Sequence, residues 1–478
     1  ILNVIFAEDL VKLPLKDCVN GLDQLKSAIK DFSPAYVEEV SGFKAENVIK
    51  IARDFSNATS AVCYGRMGLS TQEYGGLCQW LGNVLNVVTG NFDSPGGALF
   101  NTPALDVVKT TGPKGTMRKF NRWQSKVRGL PEFNGELPSA AMAEEILDAG
   151  EHGIKAMITS AGNPVLSTPN GTRLDEAFEK LDFMVSIDIY LNETTRHADY
   201  ILPPTTGLET DQYDIIFNLF AVRNVAKYSE ALFKPSEGAM EDWQIFKSLA
   251  DRLAPSKGII KGAVDKMKTP ERILDLGLRS GPYGHFKGGL TLKKLKNSPH
   301  GIDFGPLQPS LPGRLFTSDK KIDLAPEIFI EDLARLAANV KKDQGQSTGS
   351  ELSLIGRRHL RSNNSWMHNS ERLVKGGDRC TLLMNPLDAE KRELEDKQEV
   401  EVRSRVGSVR VSLEVSEEVM PGVVSLPHGW GHHRKGVGWK VAANHAGQSI
   451  NDLTDHLMVD ELTGNAAFSG VPVQVEST

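Results

Sequence analysis

Gly162-Asn163-Pro164 breaks a short run, Met157 to Ser160, just ahead of the helix-like stretch NGTRLDEAFEKL. Gly, Asn and Pro punctuate any fold, so a plain turn is one reading. The other is chemical, because open α/β sheets bind ligands at the carboxyl ends of their strands. Asp188 closes the next apolar run, DFMVSIDIY. Glycine after one strand and an acidic residue about 20 positions on is the layout of a dinucleotide site. The GxGxxG motif is absent, which lowers a nicotinamide reading. An ionised Asp only accepts hydrogen bonds, so Asp188 suits the N1–H and exocyclic amine of a guanine. It equally suits a cap on the NETTRHA segment.

Three further stretches carry polar chemistry. Gly65-Arg66-Met67-Gly68 follows SAVCY, where glycines admit a ligand to the backbone or simply make a tight turn. GRRHLRSNNSWMHNSERL, residues 356–373, is too polar for core. Its Arg357, Arg358 and Arg361 suit phosphate, and Ser362, Asn363, Asn364 and Ser365 add neutral donors; a solvated loop is the alternative. HGWGHHRKGVGW, residues 428–439, offers His428, His432 and His433. No Cys, Asp or Glu stands nearby as a further metal ligand, so these histidines are expected to shape a polar pocket rather than hold a metal. NHAGQSINDLTD adds Asn451 and Asp452. GxSxG, HExxH and GxxxxGK[ST] are all missing, which leaves hydrolase, zinc-protease and P-loop readings without support.

The elements that must position these groups alternate. Ser33-Pro34 reads as a capped helix start. Val48, Ile51, Ala52 and Phe55 share one helical face, and SAVCYGR reads as a short buried strand. Leu77, Leu81, Val84, Leu85 and Val88 form a helical stripe that Gly90 stops. A helix between Ser139 and Gly150, the KAMITSAG strand, the LDEAFEKL helix and the DFMVSIDIY and ADYILPP strands follow, which argues for a parallel sheet with helices on its faces. EDWQIFKSLADRL is an amphipathic helix, but residues 255–330 have no clear period, and KKDQGQSTGS, 341–350, reads as a linker. Beyond it come RCTLLMNP, the hairpin EVEVRSRVGSVRVSLEV with Gly407 in its turn, and GVVSLPHGWG: short strands at barrel density.

The chain has 478 residues and a net charge of −6, enough for several domains and with no bulk attraction to nucleic acid or anionic lipid. No apolar run approaches the roughly 18 residues of a membrane span. Cys18, Cys63, Cys78 and Cys380 are scattered without a CxxC pair, which points away from a disulfide framework and toward a reducing, cytoplasmic compartment. Ile1 opens an apolar, helix-like run, ILNVIFAEDL, as if in mid-helix, so a longer protein is expected.

Together, GRMGLSTQEYGG, LGNVLNVVTGNFDSPGG, ITSAGNP, VSIDIYLNETTRHADYILPPTTGLE and INDLTD resemble the motifs of molybdopterin-dependent oxidoreductases of the dimethyl sulfoxide reductase family. The resemblance runs over essentially the whole chain. It implies a Rossmann-like α/β domain over 1–217, an irregular α-rich region over 218–345, and a β-barrel of the double-psi type over 346–478 that binds the dinucleotide. The cofactor would be molybdopterin guanine dinucleotide carrying molybdenum or tungsten, used in two-electron redox of a small-molecule substrate with an electron-transfer partner. Gly65, Met67, Gly68, Gly162, Asn163, Pro164, Asp188, Thr194, Arg358, Ser365, His368 and Asn451 would line its site, with Asp188 on the guanine. The family's 4Fe-4S cluster and its protein ligand to the metal have no counterpart among these residues and are expected upstream, which would leave this chain alone without turnover. A cofactor-free scaffold subunit and a non-redox hydratase are the alternatives.

Overall fold

The computed structural model describes residues 1–111, 120–253, 268–284, 289–344 and 351–478. The chain forms two compact units, each assembled from three separate stretches. Ile1–Tyr64, Trp80–Arg118 and Pro204–Val340 make one, and Gly65–Gln79, Lys119–Pro203 and Lys341–Thr478 make the other. These units cut across the three consecutive parts expected, 1–217, 218–345 and 346–478. Long-range contacts decide the grouping, and no local pattern reports them.

The first unit is mainly helical. Ser33 Oγ accepts from Tyr36 N (3.2 Å) to start the helix Pro34–Ser41, as its Ser-Pro signal predicts. The helix Ala45–Asn57 buries Val48 and Ala52 but leaves Ile51 exposed, so its apolar stripe is narrower than the sequence suggests. SAVCYGR is neither a strand nor buried: Tyr64 is 75% exposed. Asn side chains take the place of a neighbouring strand. Asn86 Oδ1 accepts from Cys63 N (2.8 Å), Asn86 Nδ2 donates to Cys63 O (2.9 Å), and Asn91 Oδ1 accepts from Ala61 N (3.0 Å). The stretch 255–330 holds more order than its composition implies. Thr269 Oγ1 caps the helix Pro270–Ser280. Its Leu274 and Leu278, four apart, pack with Tyr228, Leu290 and Leu295. Thr-Pro-Glu was the available signal. The expected linker begins inside the helix Glu327–Gln344, and its remainder, 345–350, lies outside the described residues.

The second unit pairs a small parallel sheet with a closed barrel. The strands Ala156–Ser160, Phe183–Ile187 and Tyr200–Ile201 lie side by side in that order, all parallel. The helices Pro164–Ser167 and Gly171–Phe178 make the first crossover. Leu174, Ala177 and Phe178 pack on Met184 and Val165 to form the core of this layer. Ser139 does not cap a helix. It opens a 3-10 turn, Ser139–Ala141, that runs into Met142–Leu147, and Glu144 is held there by Arg128 (2.7 Å).

The barrel closes through Leu352–Arg357, Val423–Pro427, Thr381–Met384, Ser408–Val415, Glu399–Arg403 and Val471–Ser477 in that spatial order. Alternate residues such as Val400 and Val402, Val409, Val411 and Leu413, and Val471, Val473 and Val475 fill it. The hairpin expected at Gly407 forms, with Ser404 N donating to Gly407 O (2.9 Å). Close approach requires the glycine here, because a Cβ would lie 2.6 Å from Asp452 O. Among the described residues no helix is long and apolar enough to cross a membrane.

Candidate functional site

The Gly-Asn-Pro break is an engineered-looking junction only in its hydrogen bonds. Ala161, at the end of its strand, takes a left-handed φ of +49° and donates to Ile187 O (2.9 Å). Asn163 then starts the helix Pro164–Ser167 without capping it. Its amide turns instead to the 188–195 loop. Nδ2 donates to Glu193 Oε2 (2.7 Å), and Oδ1 accepts from Thr194 Oγ1 (2.7 Å). Thr194 Oγ1 in turn accepts from Val165 N (3.1 Å). Glu193 and Thr194 are fully buried, so the turn is pinned from behind and its backbone is left for the open side.

Glu193 continues into the barrel. His432 Nδ1 lies 2.8 Å from Glu193 Oε1, His432 Nε2 lies 2.9 Å from His368 Nδ1, and His368 Nε2 lies 2.8 Å from Ser362 Oγ. All four side chains are buried. Trp430 stacks on His368 (4.0 Å between ring centres) and Trp439 on His432 (5.3 Å). Burial pushes the His368 imidazole down to about 3, helped by neighbouring His432. Burial pushes Glu193 upward, but the hydrogen bonds it accepts from His432 and the Asn163 amide oppose it, and the carboxyl sits below its usual range.

A second buried network fastens the same loop. Asp175 on the helix Gly171–Phe178 accepts from Arg196, from His197 Nε2 (2.6 Å) and from Arg434 Nη1 (2.9 Å). Arg434 Nη2 donates onward to Asp452 Oδ1 (2.7 Å). Three buried donors in the 428–439 loop nevertheless have no partner: Trp430 Nε1, Trp439 Nε1 and Arg434 Nε. Each unmet donor costs about 1–3 kcal/mol.

All twelve residues expected at the site fall in the second unit, although they come from three stretches of sequence. They divide into two kinds. Met67 (67% exposed), Gly68, Arg358 and the Gly162-Asn163-Pro164 turn reach the surface wholly or in part, and no atom stands within 4 Å of a Cβ built on Gly68. Thr194, His368 and Asn451 belong to the frame. Asn451 is buried, its Nδ2 donating to Leu166 O (2.6 Å) and its Oδ1 accepting from Thr454 Oγ1 (2.9 Å). At Gly65 a Cβ would meet Leu69 Cδ1 at 2.4 Å, so a side chain there requires Leu69 to move aside. Ser365 is buried. Asp188 is half-buried at the end of its strand; Oδ1 accepts from Tyr190 N (3.0 Å) and Oδ2 from Asn192 Nδ2 (3.2 Å). Burial pushes its carboxyl up, against these local bonds.

Arg357 and the histidines of 428–439 need separate treatment. Arg357 is committed to the barrel end: its guanidinium donates to Ser425 O and to Thr381 O (2.7 Å) and Oγ1 (3.0 Å), which removes it from the three arginines expected to suit phosphate. The three histidines of 428–439 diverge, with His432 buried against Glu193 and His433 exposed. Among the described residues no group of three or more His, Cys, Asp or Glu converges as a metal site. Glu193, Asp175, Trp430 and Trp439 were missed from sequence. Only Glu193 left a signal, as the acidic neighbour of Thr194.

Gly429 links the loop to the polar run. Its φ is +97°, and a Cβ there would meet Asn364 O at 2.1 Å. Gly429→Ala should destabilise the protein by about 1–3 kcal/mol, read from the urea midpoint, by forcing Asn364 and its neighbours away.

The comparisons with known proteins agree with this geometry. Residues 44–252 match the family described as molybdopterin oxidoreductase, and residues 352–472 match the molydopterin dinucleotide binding domain. The F420-dependent formate dehydrogenase subunit alpha of Methanocaldococcus jannaschii is 26% identical over 444 residues, 89% of this chain and 62% of that protein. A putative formate dehydrogenase of Staphylococcus aureus is 29% identical over 252 residues, half of this chain and a quarter of that protein. The chain thus spans under two thirds of the curated relatives it matches. Acetylene hydratase from Pelobacter acetylenicus shares the fold, with a TM-score of 0.77 at 16% identity over all of this chain and 69% of the hydratase. With both halves of the site matched by family and assembled in one unit, the chain belongs to the molybdopterin oxidoreductases.

Proposed function

We propose that this chain holds molybdopterin guanine dinucleotide as part of a molybdenum or tungsten oxidoreductase that acts on formate, as its relatives' names suggest. The observation that carries the reading is the pair of exposed guanidinium groups, Arg358 and Arg361, in a polar run whose Ser362, Asn363, Asn364 and Ser365 add neutral donors. Such a run fits a ligand rich in phosphate and carbonyl oxygens, and a scaffold subunit would have no use for it. The bound group supplies two-electron redox at its metal. The chain's own residues do the rest. Arg358 and Arg361 take phosphate, the turn at Gly162 offers backbone, and Asp188 accepts from the guanine. In this reading the α/β layer is Rossmann-like, and the mixed parallel and antiparallel barrel is of the double-psi type. The metal ligand, the 4Fe-4S cluster and the contact with an electron-transfer partner are assigned outside these residues, so the chain alone has no turnover. The cytoplasm is the proposed compartment.

Asp188→Asn tests the reading. It keeps the size but sets a donor against a guanine donor, which should cost about 1.5–3 kcal/mol, or ten- to a hundredfold in cofactor affinity. Guanylate released per purified polypeptide, with the unfolding midpoint measured with and without cofactor, gives the answer. Intact occupancy would rule Asp188 out as the guanine acceptor. An equal loss of stability with and without cofactor would reduce it to a cap for the Tyr190 turn.

A further inference from the structure

We infer that Glu193 and His432 are positioning residues for this cofactor, acting through a buried hydrogen-bonded chain that sets donor direction in both walls of its site at once. The inference rests on the dinucleotide reading above. It starts from an inventory of donors. Ionised Glu193 can only accept, so Asn163 Nδ2 and His432 Nδ1–H must both donate to it (2.7 and 2.8 Å). On one side this fixes the Asn163 amide. Oδ1 is left facing Thr194 Oγ1–H, whose oxygen takes the Val165 N–H, and the Gly-Asn-Pro turn has one orientation available.

On the other side the direction passes through two rings. With Nδ1 of His432 protonated and both rings neutral, Nε2 accepts from His368 Nδ1–H, and His368 Nε2 accepts from Ser362 O–H. Ser362 belongs to the polar run 356–373, the second wall. The stacked Trp430 and Trp439 rings keep both imidazoles from rotating out of line. One carboxylate therefore sets the polarity of groups as far as 239 residues from it in sequence. Burial keeps His368 neutral, so it passes direction on rather than holding a charge. Neither Glu193 nor His432 needs to touch the ligand for this.

Two near-isosteric variants break the chain at different bonds. Glu193→Gln replaces the acceptor-only group with one that also donates. His432→Asn keeps a nitrogen where Nδ1 donates to Glu193 but loses the link to His368, so it leaves no unpaired buried carboxylate and guards against a folding failure. The holoprotein is loaded with its guanine dinucleotide, and the rate of its release is measured for wild type, each single variant and the double variant. Each single should speed release about tenfold or more. The double should be no faster than the worse single, because links in series are lost only once. Ring-nitrogen NMR supplies a second readout: the wild-type His432 Nδ1 proton should appear as a carboxylate-bonded, low-field signal that Glu193→Gln abolishes. Release at the wild-type rate in both singles, or a double equal to the product of the two, would overturn the inference and reduce these residues to packing. Wild-type protein that carries no guanine dinucleotide would instead defeat the functional reading, and the inference with it.

Discussion

Lowering the pH from 7 to 5 should cost about 4 kcal/mol of folding free energy through His368 and His428 alone, half from each. Burial holds His368 down to about 3, with His432, His359 and His428 nearby adding to the effect and the Gly429 carbonyl opposing it. Burial and Arg358 hold His428 down to about 4. In the unfolded chain both return to about 6.5. As pH falls below that value the unfolded state takes up protons that the folded state refuses, so stability drops continuously until the folded values are reached. Asp175 and Glu193 run the other way in position: their folded values lie below the ordinary carboxylate range, and their contribution is lost only in stronger acid. Their contribution is therefore retained between pH 7 and 5 and adds little to the difference. Urea unfolding followed by tryptophan fluorescence at the two pH values measures the difference. His368→Gln should remove about half of it, and an unchanged pH slope in that variant would assign the acid sensitivity elsewhere.

Replacing Asp175 with Ala should be the most damaging change to a charge, at about 3–5 kcal/mol. The carboxylate is the shared acceptor for Arg196, His197 and Arg434, and all four side chains are largely buried. Removing it takes one acceptor from three largely buried donors at once, and leaves Arg434 with Asp452 alone and Arg196 with the Glu193 and Lys435 carbonyls. The loss is the cost of those unmet donors rather than the worth of any single bond. Asp303 is a contrasting case. It also pairs with an arginine, Arg223 (2.7 Å), but both are exposed, and Asp303→Ala should leave the denaturation midpoint unmoved. Equal effects from the two substitutions would show that burial does not control the outcome.

Local chemistry was the readable part of this molecule. The run Met157–Ser160, its Gly-Asn-Pro break and the helix behind it could be placed because periodicity and turn residues are short-range signals. The barrel strands were legible for the same reason, as alternation with a Gly-containing turn. SAVCYGR looked like a strand because its composition is that of one. What it lacked was a strand partner, and two asparagines some 23 and 30 positions away fill that role. The same limit applies at the site. Gly162, Asn163, Asp188 and Arg358 announce themselves as turn or polar residues. Glu193 and His432 look ordinary alone and acquire meaning only from each other. Arg357 could not be told from Arg358 by type, and their fates differ because one side chain points into the barrel end and its neighbour points out.

The order of the barrel strands sets a timetable for synthesis. Val471–Ser477 is the last of the six barrel strands to be made, yet it lies between Leu352–Arg357 and Glu399–Arg403 and is bonded to both. Until it leaves the ribosome those two strands are open edges, with Leu352, Leu354, Val400 and Val402 uncovered. The Gly65–Gln79 segment waits longer still, since its unit includes residues made almost 400 positions later: Gly76 N donates to Asp460 Oδ2, and Phe468 N donates to Thr71 O. Assembly of this unit therefore waits until residues 471–477 have been made, and a nascent chain stalled short of that strand would expose two adhesive edges to any holdase or to a copy of itself.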